Sequence, residues 1–112
     1  MAGIYNIVAD QGATFNFNFT IDTDGTPWNL TGYTFAMMVK ESTASTSAYL
    51  DLPTDGTVTM NSSGQVSISV PAAKTTTIPA GRWYYDIELT APNATVTRIL
   101  EGRFIVNPQV TE

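Results

Sequence analysis

Apolar and polar residues alternate with a period of two along much of this chain, and this pattern restricts the fold more than any other feature. In residues 15–21 every second side chain is apolar, and the residues between them are Asn or Thr. The alternation returns in residues 33–40, 66–70 and 83–90. Successive side chains of a β-strand point to opposite faces of the sheet, so the pattern predicts strands with one buried and one exposed face.

Turn-forming sequences separate these stretches, and they set the number of strands. Residues 4–9 predict an opening edge strand, and residues 96–106 predict a long last strand in which Gly102 marks a bulge or bend. The turns are rich in Gly, Pro, Asn and Asp, and they lie at residues 23–26, 53–56, 61–64 and 92–94. Seven or eight strands are therefore expected.

One stretch near 71–78 predicts a short helical turn. Pro71 suits the first turn of a helix, and Pro79 disfavours its continuation. No helix is long enough to cross between parallel strands, so we predict an all-β fold. Its expected form is an antiparallel, immunoglobulin-like β-sandwich that occupies residues 1–112 as a single domain.

The apolar side of each predicted strand defines the expected core. Large aromatic residues are the usual filling of a β-sandwich, and Trp83 lies on such an apolar side. The predicted core consists of Phe15, Phe17, Phe19, Phe35, Met37, Val66, Ile68, Trp83, Tyr85, Ile87 and Leu89.

Composition argues against several classes of function. The net charge is −5, which disfavours the phosphate backbone of nucleic acid as a partner. The chain has no His and no Cys, so the commonest general base and metal ligand is missing. We therefore predict no enzyme activity, no cofactor and no metal site. No signal peptide and no apolar run of about 20 residues is present, so we expect cytoplasmic synthesis and no membrane segment.

Two acidic motifs allow a second interpretation. Residues 22–26 resemble the start of a calcium loop, but the twelfth position is Tyr33 where such loops have Glu, and a hairpin turn is expected instead. Asp86 and Glu88 share one strand face and could serve a glycosidase, one as acid and the other as base or nucleophile. The alternative, which we favour, is an ion-paired surface in which basic residues of neighbouring strands, Arg98 among them, neutralise both carboxylates.

Exposed aromatic residues suggest an alternative role in binding sugars or proteins. Trp28 follows Pro27 beside a turn, where partial exposure would suit a contact surface. A carbohydrate-binding domain would expose Trp28 or Tyr84 as a stacking platform for a host surface glycan.

Three stretches together resemble a known family of modules. They are residues 28–33 (WNLTGY), 78–89 (IPAGRWYYDIEL) and 97–111 (TRILEGRFIVNPQVT). This combination resembles the small immunoglobulin-like virion modules of tailed bacteriophages, and it is similar to the N-terminal domains of baseplate upper and tail-fibre proteins. The family brings no catalytic residues. No shaft or receptor-binding region follows Glu112, which raises the expectation of a free-standing component.

The resemblance implies a structural role in a virion. The expected function is that of an assembly or adaptor module of the tail, baseplate or fibre attachment region, made in the cytoplasm of a bacterial host. The alternative within the virion is a head decoration (cement) protein on the capsid. In either role the partners would be other virion structural proteins.

The opening strand suggests that the protein forms oligomers. Residues 4–9 contain neither charge nor Pro, the features by which soluble proteins usually protect a sheet edge. Such an edge suits a subunit that adds a strand to its neighbour, and a ring with threefold or sixfold symmetry is expected. The candidate interface residues are Ile4, Tyr5, Ile7, Val8, Trp28, Gln109 and Val110.

Overall fold

Strands dominate the structure, and the only helix of the described residues is a single turn. The computed structural model describes residues 3–42, 44 and 47–108. The strands within these ranges are β1 (Gly3–Ile4), β2 (Ile7–Asp10), β3 (Phe15–Thr20), β4 (Asp22–Thr23), β5 (Thr26–Pro27), β6 (Thr34–Lys40), β7 (Leu50–Leu52), β8 (Thr57–Met60), β9 (Gln65–Val70), β10 (Gly81–Thr90) and β11 (Val96–Asn107). Helix α1 (Ala72–Thr75) lies within the predicted segment near 71–78. The all-β prediction is confirmed.

The strands form two main sheets and one small hairpin. The six-stranded sheet has the order β1-β11-β10-β6-β7, and β2 also pairs with β11. The three-stranded sheet has the order β3-β9-β8, and β4 pairs with β5. The interleaved order places strands that are distant in sequence side by side, so the core forms only when the whole chain is folded.

The prediction of purely antiparallel sheets is wrong for the first strand. Both β1 and β2 run parallel to β11, with Ile4 opposite Glu101 and Ile7 opposite Phe104. A hairpin turn makes strands antiparallel when they are neighbours in sequence. Because β1 and β11 lie at opposite ends of the chain, no turn joins them, and their relative direction is not restricted in this way.

One core lies between the two main sheets. Phe15 of β3 meets Phe104 of β11 edge to face, with ring centroids 5.6 Å apart. Eight of the eleven predicted core residues are buried. The others, Phe17, Phe19 and Trp83, are partly buried and pack against the core. The indole N–H of Trp83 donates to the carbonyl of Pro79 at 2.8 Å, which keeps one end of that ring near the surface.

The first and last strands add core residues that were not predicted. Ile7 and Ala9 of β2 face Phe104 and Val106 of β11 in register, and all four side chains are buried. The alternation in these strands is short or interrupted, so it gave a weaker signal than that of β3 or β10. The pairing of the two chain ends is therefore part of the core.

The acidic segment at residues 22–26 is a hairpin, as expected. Strands β4 and β5 are joined by Asp24 and Gly25, whose φ angles are 52° and 81°. Two successive residues with positive φ define the tight turn that Asp-Gly favours. The carboxylates of Asp22 and Asp24 thus belong to a turn with strong local preference.

A buried hydroxyl joins α1 to the loop before β3. Thr75 is 3% exposed. Its Oγ1 donates to the carbonyl of Ala13 at 2.8 Å and accepts from the backbone N–H of Gly12 at 3.1 Å. Gln11 adds a bond from Nε2 to the carbonyl of Ile78 at 2.9 Å. These bonds fix the helical turn against the base of the three-stranded sheet.

We expect Thr75→Val to lower the free energy of unfolding by about 1 kcal/mol, because the N–H of Gly12 and the carbonyl of Ala13 lose their hydrogen-bond partner. Thr75→Ser retains the hydroxyl and should lose less. Urea unfolding of both variants measures the difference. A larger loss for Thr75→Ser than for Thr75→Val would show that the methyl group, and not the hydroxyl, matters at this position.

Candidate functional site: the outer face of the six-stranded sheet

A broad concave surface lies on the side of the six-stranded sheet that faces away from the core. It is a shallow depression of about 750 Å³. We call this surface the outer sheet face, and its principal residues are Ile4, Met38, Lys40, Tyr84, Asp86, Glu88, Arg98, Glu101 and Arg103. It is the best candidate for a functional site because it collects charged, aromatic and exposed apolar side chains.

Strand register places these side chains together. Tyr84 of β10 lies opposite Lys40 of β6 on one side and Arg103 of β11 on the other. Two residues further along β10, Asp86 lies opposite Met38 in the same way. Because every second residue faces outward, three neighbouring strands contribute rows of polar side chains to one surface.

A bulge in β11 brings Arg98 to the outer sheet face. The register shifts between Ile87 and Glu88: Ile87 faces Leu100, whereas Glu88 faces Arg98, which leaves Ile99 as the additional residue. In a regular strand, residues three apart point to opposite faces. The extra residue instead allows Arg98 and Glu101 to share a face. A bulge or bend was expected at Gly102, where β10 and β11 pair without a register shift.

Arg98 is the centre of a charged cluster. Its Nε lies 3.4 Å from Oδ2 of Asp86, and its Nη2 lies 3.7 Å from Oε2 of Glu88. Its Nη1 lies 3.8 Å from Oε1 of Glu101. Asp86 and Glu101 are directly opposite each other on neighbouring strands, where like charges repel. One guanidinium therefore offsets the repulsion within a group of three carboxylates.

A second cation packs on an aromatic ring of the same face. The guanidinium carbon of Arg103 lies 4.2 Å from the centre of the Tyr84 ring. The two residues are directly opposite each other on β10 and β11, so the contact follows from the strand register. The electron-rich ring face attracts the cation and restricts both side chains. Tyr84 and Arg103 thus form an ordered part of the outer sheet face.

The two carboxylates considered for glycoside hydrolysis share one environment. Asp86 and Glu88 both contact Arg98, and their side chains are 39% and 37% exposed. A glycosidase pair normally requires surroundings that differ between its acid and its base. The expected ion pairing with Arg98 is confirmed.

The candidate interface residues of the first strand are divided between surface and core. Ile4, Tyr5 and Val8 are 83%, 52% and 56% exposed, whereas Ile7 is 2% exposed. Ile7 faces inward because it alternates with Val8 along β2, so its side chain belongs to the core instead of the candidate surface. Gln109 and Val110 lie outside the described residues.

Trp28 lies apart from Tyr84, the other residue of the proposed sugar platform. Its indole N–H donates to Oγ1 of Thr23 in the β4–β5 hairpin at 2.8 Å. Its ring packs near Tyr33, with centroids 6.4 Å apart, and is partly buried against the core. Trp28 is not among the residues that line the depression containing Tyr84.

A kink between β1 and β2 holds the exposed residues in place. The backbone N–H of Tyr5 donates to the carbonyl of Glu101 at 3.0 Å, and the N–H of Arg103 donates to Oδ1 of Asn6 at 3.1 Å. A Cβ on Gly102 would lie 2.4 Å from the carbonyl oxygen of Tyr5, so this close approach requires glycine. The sequence marks Gly102 as a special position in the last strand, but no sequence signal identifies Asn6 as a partner.

Tyr85, whose side chain is buried in the core, also holds this kink. Its hydroxyl donates to the carbonyl of Tyr5 at 2.5 Å. Burial, with a smaller contribution from Tyr5, raises the pKa of Tyr85 to about 12. Between pH 10 and 12 the unfolded chain loses this proton while the folded protein keeps it, so the contribution of Tyr85 to stability falls as the pH rises.

The chain matches no model of a known protein family, and no curated protein is significantly similar to it. In the described ranges, no helix combines the length and apolarity needed to span a membrane. The same residues contain no group of three or more acidic side chains arranged to hold a metal ion. The geometry of the outer sheet face is therefore the basis for a functional proposal.

We expect Tyr85→Phe to lower the free energy of unfolding by about 1 kcal/mol at pH 8, because the carbonyl of Tyr5 loses its donor. The free energies of unfolding of the two proteins should converge as the pH rises from 8 to 12. Only the unsubstituted protein has the Tyr85 proton, which the unfolded state releases at lower pH than the folded state. A difference between the two proteins that stays constant over this range would contradict the assignment.

We expect Arg98→Met to destabilise the protein by about 0.5–1 kcal/mol at low ionic strength, because three carboxylates lose their shared cation while the apolar stem is largely kept. Added salt should reduce the loss by screening the remaining repulsion. Arg82→Met is the matched control, since Arg82 is exposed and has no ion pair in the described part of the chain. Equal effects of both substitutions would contradict the cluster.

Proposed function

We propose that this protein is a non-enzymatic structural module of a tailed-phage virion, which binds other virion proteins through the outer sheet face and the adjoining β1–β2 edge. The observation that carries the proposal is the exposure of Ile4, Tyr5 and Val8 on a kink held by hydrogen bonds. Apolar side chains that are rigid and exposed lose little entropy when a partner covers them.

We also propose that the fold is an immunoglobulin-like sandwich of the variable type. The three-stranded order β3-β9-β8 corresponds to strands B, E and D of such domains, and the order β11-β10-β6-β7 corresponds to G, F, C and C′. Phe35 and Met37 of β6 fill the place that antibody domains give to a Trp on strand C. The family resemblance implied an immunoglobulin-like sandwich, and the strand order supports the variable type.

The composition of the outer sheet face suits a protein partner. Tyr84, Arg98, Arg103 and Met38 are of the residue types enriched in the centres of protein interfaces. Three of the chain's five basic residues lie on this face, beside three carboxylates, although the whole chain has a charge of −5. A locally balanced surface can approach another acidic protein with less repulsion than the remainder of the molecule can.

The exposed edge supports assembly into a ring or onto one. Strands β1 and β2 pair with β11 on one side, and no other strand of the described residues pairs with them. An open edge of this kind can accept a strand from a neighbouring subunit. Repetition around a threefold or sixfold axis, as expected in a phage tail, would satisfy every copy in the same way. A decoration protein on the capsid remains the alternative within this proposal.

The proposal is tested on phage particles from cells in which this chain carries the paired substitutions Ile4→Lys and Val8→Lys. We expect the unsubstituted chain to co-purify with particles in a fixed ratio, measured by quantitative mass spectrometry, and the variant to be lost at least about tenfold, since charged residues oppose burial at an interface core. Val96→Lys is the control, because Val96 is exposed to a similar degree, 57%, on β11. Particles that lack the unsubstituted chain would refute the virion role.

A further inference from the structure

One edge of the three-stranded sheet is open along its whole length. Strand β3 pairs with β9 alone among the described residues. The backbone N–H of Ile21 donates to the carbonyl of Gly64 at 2.8 Å, which continues the β3–β9 ladder by one residue. In an antiparallel pair, residues that bond to the partner strand alternate with residues that face away from it. Ile21, Phe19, Phe17 and Phe15 therefore bond to β9.

The residues between them present unpaired backbone groups at the open edge. They are Asn16, Asn18 and Thr20, whose N–H and carbonyl groups point away from β9. No hydrogen bond to another described residue involves these backbone groups. Three donors and three acceptors in a row form a template for one further strand.

Nothing in β3 protects this edge against pairing. Residues 13–21 contain no charged residue and no Pro, and β3 pairs with β9 without a register shift. Some other edge strands carry charge, since β2 ends in Asp10 and β7 contains Asp51, whereas β8 (Thr57–Met60) is uncharged like β3. Natural proteins usually place charge, Pro or a bulge on an exposed edge strand. The lack of these features in β3 favours an edge that is covered by another chain.

Apolar side chains lie beside the open edge. Phe17, Phe19, Tyr5 and Leu100 border a depression of about 420 Å³ between β3 and the first strand. The rings of Phe17 and Phe19 have centroids 5.5 Å apart, and both are only partly buried. A strand added to β3 would therefore bury apolar surface in addition to forming backbone hydrogen bonds.

We propose that two copies of this chain form a dimer by pairing their β3 strands in antiparallel orientation about a twofold axis at Asn18. Asn18 then faces Asn18 of the second copy, and Asn16 faces Thr20. The three residues of each β3 whose backbone groups point to the open edge are then all paired, with two hydrogen bonds in each pair. The two three-stranded sheets thereby join into one continuous sheet of six strands across the dimer.

The occupant is a second copy because β3 is complementary to itself. With the twofold axis at Asn18, Phe17 lies opposite Phe19 of the other copy on the core-facing side of the sheet. Cross-strand aromatic pairs of this kind are favourable. On the outer side the pairs consist of Asn and Thr, so no like charges meet, although each chain has a net charge of −5. Centring at Asn16 or Thr20 would leave two of the three edge-facing residues of each β3 without a partner within the strand. This dimer does not depend on the proposed virion role.

Substitution of Asn18 by Pro tests the backbone contact. The N–H of Asn18 faces away from β9, so Pro removes a donor of the dimer and not of the β3–β9 ladder. We expect the dimer dissociation constant, measured by sedimentation equilibrium, to rise at least about tenfold, since two of the hydrogen bonds are affected. Asn18→Thr keeps the N–H and is the matched control. Thermal unfolding confirms that both variants are folded.

Charged substitutions at Asn18 test the twofold symmetry of the dimer. This test does not require that β3 tolerate Pro. Asn18→Lys and Asn18→Asp should each weaken self-association, because like charges meet at the twofold axis. An equimolar mixture of the two variants should form a heterodimer that neither forms alone. The paired Ile4→Lys and Val8→Lys substitutions should leave this dimer intact. An unsubstituted chain that stays monomeric at millimolar concentration, or a mixture without heterodimer, would overturn the proposal.

Discussion

The pairing of the first strand with the last is the contact on which the rest of the structure depends. β11 lies between β10 and the β1–β2 segment, and Ile7 and Phe104 place both chain ends in the core. This pairing closes a loop that contains nearly the whole chain, so its entropic cost is met only when the intervening strands are in place. Gly102 and Tyr85 make the pairing possible, because they admit and hold the carbonyl of Tyr5.

The strands that were predictable are those whose two faces differ clearly in polarity. β3, β6 and β10 show regular alternation, and their inward residues, such as Phe35 and Ile87, are buried as expected. The direction of β1 and β2 was not predictable, because no local turn determines it. The bulge at Ile99 was also not predictable, because β-branched apolar residues such as Ile99 are common in regular strands and do not indicate a bulge. Long-range register, and not local propensity, decided these features.

The candidate site was predictable in its residues but not in its geometry. Asp86 and Glu88 were recognised as neighbours on one face, and Arg98 as a partner. Glu101 became the third carboxylate only because the bulge turned it to the same face as Arg98. The pairing of Tyr84 with Arg103 depends on the β10–β11 register. A charge cluster assembled across a register shift cannot be derived from a strand-by-strand alternation, because that alternation assumes a regular strand.

The open edges at β1–β2 and at β3 have a common origin. The first strand can pair with β11 or with β3, but not with both. It pairs with β11, which extends the six-stranded sheet and leaves β3 with a single neighbour. Had it paired with β3, the backbone groups of Asn16, Asn18 and Thr20 would be satisfied within the chain, and β11 would be the open strand. The partial burial of Phe17 and Phe19 follows from the same arrangement, since no strand covers them on that side. An uncharged open edge beside half-buried rings is stable in water only at a cost, and association removes that cost.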